Sequence, residues 1–165
     1  MNPKNFEEYL EQFSHKLLST THPSKMEPPK KEFIKLIEEK LSENISYILF
    51  SNLMDILINT KQEISDKTLR ELFENAALPS NLNRIHSLCM YLIVFNKKGY
   101  CNILERILEK YDKVPSLSEY VIEAIGKLGC LKCYNKIKEI AEYENIDNPK
   151  ITFFAKEALK ELKND

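Results

Sequence analysis

The sequence contains one cysteine pair whose spacing could support chemistry. Cys130 and Cys133 form a C-x-x-C motif at the predicted start of a helix, where the helix dipole could lower the pKa of a thiol. A structural zinc site needs a second such pair or a nearby histidine pair, and a redox motif usually follows a strand in a thioredoxin-like unit. The sequence has neither context, so it favours ordinary buried or half-buried thiols at both positions.

The other titratable residues do not form a recognisable catalytic set. The histidines are far apart in the sequence and are expected at the surface or in turns: His15, His22 and His86. Adjacent carboxylates, such as Glu7 with Glu8 or Glu38 with Glu39, would point about 100° apart on a helix, so we expect them to be solvated. The sequence has no glycine-rich phosphate loop and no nucleophile motif. It therefore predicts no catalytic residues, no metal site and no cofactor.

Length and composition indicate one globular, helical domain. The chain has 165 residues, of which 43% are hydrophobic and 30% charged, and only 3 are glycine. The 24 basic and 25 acidic residues give a net charge of −1, so neither a nucleic acid nor a membrane is indicated as a partner. The longest apolar run, Leu88 to Phe95, is too short to span a bilayer, and no apolar signal segment follows Met1. The cysteines do not resemble a secreted disulfide framework, so the sequence predicts a cytoplasmic protein.

Helical periodicity continues along most of the chain. Apolar residues within positions 3–18 predict an N-terminal capping helix, and positions 19–29, which include three prolines, predict a connector. Residues 30–163 then divide into four helical hairpins. Ser42 is expected to cap the second helix of the first hairpin, and Ser116 has capping-box spacing to Glu119. Gly99 and Gly129 are expected to occupy equivalent turns that keep the hairpins in register.

The segment from Ser116 to Leu162 contains the same phrase twice. Residues 123–128 read EAIGKL and residues 157–162 read EALKEL, an offset of 34 residues with alanine and large aliphatic residues at matching positions. This offset is the period of a stacked helical hairpin, whose apolar side is buried only when neighbouring hairpins stack on it. The sequence therefore predicts an all-α protein in which residues 1–165 form one right-handed α-solenoid.

Two motifs in this segment fit a known repeat pattern. Residues 124–129 read AIGKLG, and residues 151–159 read ITFFAKEAL, with Asn148 and Pro149 at the turn between the helices. Residues 116–163 thereby resemble the HEAT-like repeats of the phycocyanobilin-lyase type, which pair A-L-x-x-L-G with V-R-x-x-A-x-x-A-L. Thr152 stands where the family has arginine. The resemblance implies a HEAT-like fold and a tendency to bind proteins, and it implies no chemistry.

Alignment of the two phrases separates core positions from surface positions. The predicted core residues are Val121, Ala124, Ile125, Leu128, Ala155, Ala158, Leu159 and Leu162. In solenoids of this kind the second helix of each hairpin lines the concave face, so the remaining positions are predicted to contact a partner protein. These partner-binding residues are Asn52, Asp55, Asn59, Ser87, Tyr91, Glu119, Ile122, Glu123, Phe153 and Lys156. A merely solvated face is the alternative for each of them.

The functional prediction is a small protein-binding module. Such a module would act as an adaptor or an inhibitor, for example as an immunity protein that neutralises a toxin. The alternative is nucleic-acid binding, because some HEAT-like solenoids are similar in shape to DNA glycosylases that act on alkylated purines. Those enzymes need a strongly basic concave face and aromatic side chains against the damaged nucleotide. The chain has no tryptophan and no excess of basic residues, so protein binding is favoured.

Overall fold

The computed structural model describes residues 6, 8, 10–13, 31–111, 114–143 and 149–163. These residues form helices and turns and include no strand, which confirms the predicted all-α class. The predicted connector at positions 19–29 and Asn148 of the predicted turn lie outside the described residues. Within the described ranges, no helix combines the length and the apolar character needed to cross a membrane.

Eight α-helices have bounds within the described ranges. They are α1 Lys31–Leu41, α2 Tyr47–Asn59, α3 Asp66–Ala76, α4 Ile85–Val94, α5 Cys101–Tyr111, α6 Pro115–Lys127, α7 Tyr134–Glu142 and α8 Pro149–Leu162. Short 3-10 helices at Pro79–Arg84, Lys98–Tyr100 and Leu131–Cys133 precede α4, α5 and α7. Helical residues also occur at positions 6, 8 and 10–13, inside the predicted capping helix.

The chain forms two compact units, Met1–Asn75 and Ala76–Asp165. In the first unit, Phe33 on α1 is fully buried, and the rings of Phe6 and Phe13 lie against it at centroid distances of 5.4 and 6.0 Å. The described part of the N-terminal segment therefore packs on α1 through its aromatic residues. α2 contacts α1 and buries most of its large aliphatic residues, as expected of a helix that is apolar nearly all round.

The start of α2 is capped by Ser46, so the prediction that Ser42 caps this helix is wrong. The Oγ of Ser46 accepts a hydrogen bond from the backbone N–H of Leu49 at 3.3 Å. Ser42 lies just past the end of α1, and its hydroxyl donates to the Glu38 backbone carbonyl at 3.0 Å. Both serines form hydrogen bonds with backbone groups that lack a partner at the helix ends. The segment between α1 and α2 is longer than a cap at Ser42 would allow.

Ser65 caps the start of α3. Its Oγ accepts a hydrogen bond from the backbone N–H of Thr68 at 3.1 Å. The backbone N–H of Ser65 donates to the Glu38 carboxylate, so Glu38 is half-buried and bonded, contrary to the expectation that it is solvated. Glu39, one position later, is exposed as expected.

The second unit is organised around α6. This helix packs between α4 and α8, while α5 contacts α6 and α7 contacts α8. The predicted core residues that are buried are Val121, Ala124, Ile125, Leu128, Ala155, Ala158 and Leu162. Leu159 is half-buried. The phrase alignment therefore assigned the facing sides of α6 and α8 correctly, whereas the right-handed solenoid and the single domain stay predictions.

Helices α6 and α8 approach most closely at Gly126. A Cβ at this position would lie 2.8 Å from the Cα and 2.9 Å from the Cβ of Ala158. One residue later, Lys127 forms an ion pair with Glu161 across the same interface, which raises the pKa of Lys127 through the hydrogen bond and the charge of Glu161. The side chain at position 126 must therefore be absent for the two helices to reach this separation.

Helices α2, α4 and α6 end in the same kind of turn. Lys61, Asn96 and Gly129 have φ values of 54°, 50° and 66°. In each turn the N–H of the following residue donates to the carbonyl five residues earlier, at 2.9 to 3.0 Å, which is the hydrogen bond of a Schellman motif. Gly129 therefore lies in the turn after α6, as predicted, and has a left-handed conformation. The equivalent residue after α4 is Asn96. The prediction that Gly99 occupies the equivalent turn is wrong, because Gly99 lies in the 3-10 helix before α5.

Helix α6 begins at Pro115, so the prediction that Ser116 is its N-cap is wrong. Val114 occupies the N-cap position, and Pro115 fits the first helical position because its φ is already fixed and its missing N–H needs no partner there. The hydroxyl of Ser118, inside the first turn, donates to the carbonyls of Val114 and Tyr111 at 3.1 and 2.9 Å. Pro149 likewise starts α8, as predicted.

Candidate functional site

Residues 34 positions apart lie side by side in the second unit. His86 on α4 stacks on Tyr120 of α6, with ring centroids 4.0 Å apart. Lys127 on α6 pairs with Glu161 on α8 at the same sequence separation. The offset between the two copies of the repeated phrase is therefore the spacing between neighbouring residues on α4, α6 and α8.

This spacing places rings at matching positions on three helices. His86, Tyr120 and Phe154 follow one another at intervals of 34 residues on α4, α6 and α8, and each is half-buried. Phe153 adjoins Phe154, with its ring edge-on at a centroid distance of 5.8 Å, and is 60% exposed. We call these four residues the aromatic row. Partly buried rings have little rotamer freedom left to lose, so they offer apolar contact area at a small entropic cost.

Charged side chains lie on the same helices as the aromatic row. Glu119 and Glu123 are half-buried on α6, and Lys156 is exposed on α8. Glu123 is close enough to α4 to act on the Cys89 thiol there, whose pKa is raised above its usual range first by burial and second by this carboxylate. Two carboxylates thus lie close to Tyr120 on α6, the middle helix of the three that carry the aromatic row.

Four of the seven predicted partner-binding residues in this unit are at its surface. Glu119, Glu123, Phe153 and Lys156 are exposed or half-buried. The prediction is wrong for the other three, because Ser87, Tyr91 and Ile122 are 4%, 0% and 0% exposed.

The error on α4 has a simple cause. This helix is apolar nearly all round, so its sequence does not show which side is exposed. The half-buried residues of α4 are His86, Met90, Ile93 and Val94, and the first two each lie one position before a predicted residue. A shift of one residue turns a helical position by about 100° and moves Ser87 and Tyr91 into the core.

The three remaining predicted residues lie on α2 in the first unit. Asn52 and Asp55 are exposed and Asn59 is half-buried, so they form a polar line along one side of the helix, as the sequence suggested. The side-chain amide of Asn59 donates to the backbone carbonyl of Asp55 at 2.8 Å. Their contact with a partner stays a prediction.

The sequence reasoning missed three members of the aromatic row. His86, Tyr120 and Phe154 were not among the predicted site residues, although Tyr120 lies three residues before the first copy of the phrase and Phe154 lies within the second motif. The offset of 34 residues between the two copies of the phrase also separates these three residues, so this offset is the signal that could have found them.

The cysteines form a covalent link that the sequence did not predict. Cys101 at the start of α5 is bonded to Cys130 in the turn after α6, with their Cα atoms 5.4 Å apart. The expectation of an ordinary thiol is therefore wrong for Cys130, and one argument for a cytoplasmic location, the lack of disulfides, no longer holds. Cys133 is a free, buried thiol. Burial raises its pKa to about 11, with the Glu105 and Glu109 carboxylates adding to the effect.

Other candidate sites for chemistry are few. No cluster of three or more histidine, cysteine, aspartate or glutamate side chains that could hold a metal ion occurs in the described part of the chain. His86, the one predicted surface histidine in the described ranges, is occupied by its stacking on Tyr120. The aromatic row is therefore the strongest candidate for a contact surface in the second unit.

Comparison with known proteins gives no relative from which function could be transferred. No protein-family model matches the sequence, and neither the curated proteins nor the solved structures give a match. The HEAT-like resemblance stays a prediction.

Proposed function

We propose that this chain is a protein-binding module and that the aromatic row is the centre of its contact surface. The observation that carries the proposal is the placement of rings at matching positions on three neighbouring helices, with Phe153 left 60% exposed beside them. Aromatic residues are enriched in the cores of protein interfaces, where a few anchors provide most of the binding energy. Tyr120 and Phe153 are the anchors we expect.

The charges beside the rings indicate the chemistry of the partner. Glu119 and Glu123 place negative charge next to Tyr120, so a complementary partner presents an apolar side chain flanked by lysine or arginine. Lys156 offers a positive group on α8 for an acidic residue of the same partner. The two carboxylates would repel a phosphate backbone, which makes the nucleic-acid alternative the weaker one.

As a protein-binding module, the chain would act as an adaptor or an inhibitor. A toxin-neutralising immunity protein is one example of such an inhibitor. The support is the absence of a catalytic set in the sequence together with a surface suited to binding.

The test is capture of the partner from the native cell by the tagged chain, followed by affinity measurements on purified components. We expect Tyr120→Ala and Phe153→Ala each to weaken binding by about 2 kcal/mol, roughly 30-fold. The matched control is Tyr143→Ala, which removes a ring that is 71% exposed at the end of α7 and lies outside the aromatic row. Circular dichroism on each variant checks that the fold is retained.

Charge reversal separates the proposal from its alternative. Glu123→Lys should slow association with a protein partner, whereas Glu139→Lys, an exposed site on α7, should leave it unchanged. A nucleic-acid ligand would respond oppositely, with tighter binding by Glu123→Lys and a steep fall of affinity with salt. Equal losses for Tyr143→Ala and Tyr120→Ala would show that the aromatic row is the wrong surface.

A further inference from the structure

A cleft in the second unit gives small molecules access to the disulfide. It has a volume of about 330 Å³ and lies between the start of α5 and the turn after α6. Both cysteines of the Cys101–Cys130 bond contribute to its wall. The rest of the wall includes Gly99, Gly129, Lys98 and Lys132.

The two cysteines differ in their exposure. Cys101 is half-buried, whereas Cys130 is only 2% exposed. The glycines lack side chains that could cover the bond, and a Cβ built on Gly99 would meet no atom within 4 Å. A thiol that enters the cleft therefore reaches the Sγ of Cys101 more readily than that of Cys130.

Positive charge borders the cleft on both sides. Lys98 precedes Cys101 in the 3-10 helix, Lys132 follows Cys130, and both side chains are exposed. The Nζ of Lys132 donates to the side-chain oxygen of Asn102 at 3.2 Å, which holds its charge beside the start of α5. Ammonium groups at such a position attract an anion and stabilise a thiolate, which is the reactive form in disulfide exchange.

We propose that this cleft is a thiol–disulfide exchange site for an anionic low-molecular-weight thiol. The incoming thiolate attacks the Sγ of Cys101, forms a mixed disulfide there, and breaks the bond to Cys130, which leaves as a thiolate and takes up a proton. A second thiolate then attacks the outer sulfur of the mixed disulfide and releases Cys101 as a thiolate. The products are the oxidised small-molecule disulfide and two protein thiols, so two electrons pass from the small thiols to the Cys101–Cys130 bond.

Cys133 does not compete for the same bond. It is only three positions from Cys130, but it is 1% exposed and its raised pKa keeps the thiol protonated at neutral pH. The attacking group therefore comes from outside the chain. This site is separate from the aromatic row and does not depend on the proposed protein binding.

The experiment uses the full chain, purified without reductant, and follows loss of the disulfide by intact mass after quenching with an alkylating agent. Reduced glutathione is the anionic probe, 2-mercaptoethanol the neutral one and cysteamine the cationic one, with each rate expressed per thiolate. We expect glutathione to react fastest and its first adduct to map to Cys101. Lys98→Gln with Lys132→Gln should lower the glutathione rate roughly two- to fivefold, the range expected for exposed charges. The 2-mercaptoethanol rate should fall by less, because that thiolate carries no further negative charge.

The matched control is Lys138→Gln, which removes one exposed positive charge on α7 and should have no effect. High salt should reduce the advantage of glutathione over 2-mercaptoethanol, because screening weakens attraction between exposed charges. The proposal is overturned if Cys101 and Cys130 are not linked in the purified protein, or if the disulfide resists all three thiols until denaturant is added. A first adduct on Cys130, or equal rates for the three probes, would also overturn it.

Discussion

The close contact at Gly126 leads to a prediction that opposes helix propensity. Replacing glycine by alanine in a helix interior should add about 1 kcal/mol of stability through propensity alone. At this position the new Cβ would lie 2.8 Å from the Cα of Ala158 and 2.9 Å from both its Cβ and the Oε2 of Glu161. Glu161 can rotate away, at the expense of its ion pair with Lys127, but the backbone atom of Ala158 cannot move without α8.

The change in stability of Gly126→Ala combines the steric cost of the new methyl group with the gain in helix propensity. Displacing a packed element to admit a methyl group costs about 1 to 3 kcal/mol. Since α8 is held by both α6 and α7, we place Gly126→Ala in the upper part of this range. After the propensity gain of about 1 kcal/mol is subtracted, the variant should be destabilised by about 1 to 2 kcal/mol, or roughly 2 to 8 °C in melting temperature.

Urea unfolding followed by far-UV circular dichroism measures this change. Gly99→Ala is the control, because its Cβ would meet no atom within 4 Å and the substitution should be neutral or slightly stabilising. Adding Ala158→Gly to Gly126→Ala should restore little stability, because the contact with the Cα of Ala158 remains. A Gly126→Ala protein as stable as the parent or more stable would refute the close approach of α6 and α8.

Three further predictions concern turns, caps and a buried thiol. Lys61→Gly should stabilise the protein by about 0.5 kcal/mol in urea unfolding, because relief of a positive φ outweighs the added entropy of the unfolded chain; a loss of stability would contradict the turn. Ser46→Ala should lower the free energy of unfolding by about 1 kcal/mol in the same assay, and Ser42→Ala should lower it clearly less. The reverse order would indicate that Ser42 is the cap of α2. The pKa of Cys133 is raised from 9.0 to about 11, so the folded chain keeps a proton that the unfolded chain loses. Its contribution to stability is complete below pH 9 and falls as pH rises towards 11, and Cys133→Ala should flatten that fall.

The sequence predicted the helices well where their apolar residues fall on one side. The repeated phrase identified the buried sides of α6 and α8. The start of α2 was misplaced because both Ser42 and Ser46 are good capping residues. Ser42 bonds back to the Glu38 carbonyl at the end of α1, whereas Ser46 caps α2. The turn after α4 was misassigned because asparagine also adopts a positive φ, so the nearby Gly99 was a misleading signal.

The candidate site was harder to predict for a different reason. Exposure on α6 and α8 can be read from their polar residues, and Glu123, Phe153 and Lys156 were placed correctly. On α4 the polar residues His86 and Ser87 are adjacent and point about 100° apart, and the apolar run from Leu88 does not show which of them marks the outside. The choice of Ser87 and Tyr91 therefore had no physical constraint. The disulfide was missed because two cysteines separated by 29 residues meet only through the packing of two turns, which no local pattern records.

The same 34-residue spacing links the fold of the second unit to its candidate surface. A period that brings Gly126 against α8 and stacks His86 on Tyr120 must place equivalent residues of successive helices in rows, on the buried side and on the exposed side alike. On the buried side each row needs small and aliphatic residues that fit together. On the other side the rings are only half-buried, so packing constrains them less than it constrains the core residues. A substitution such as Tyr120→Ala should therefore change binding far more than stability, whereas Gly126→Ala should do the opposite.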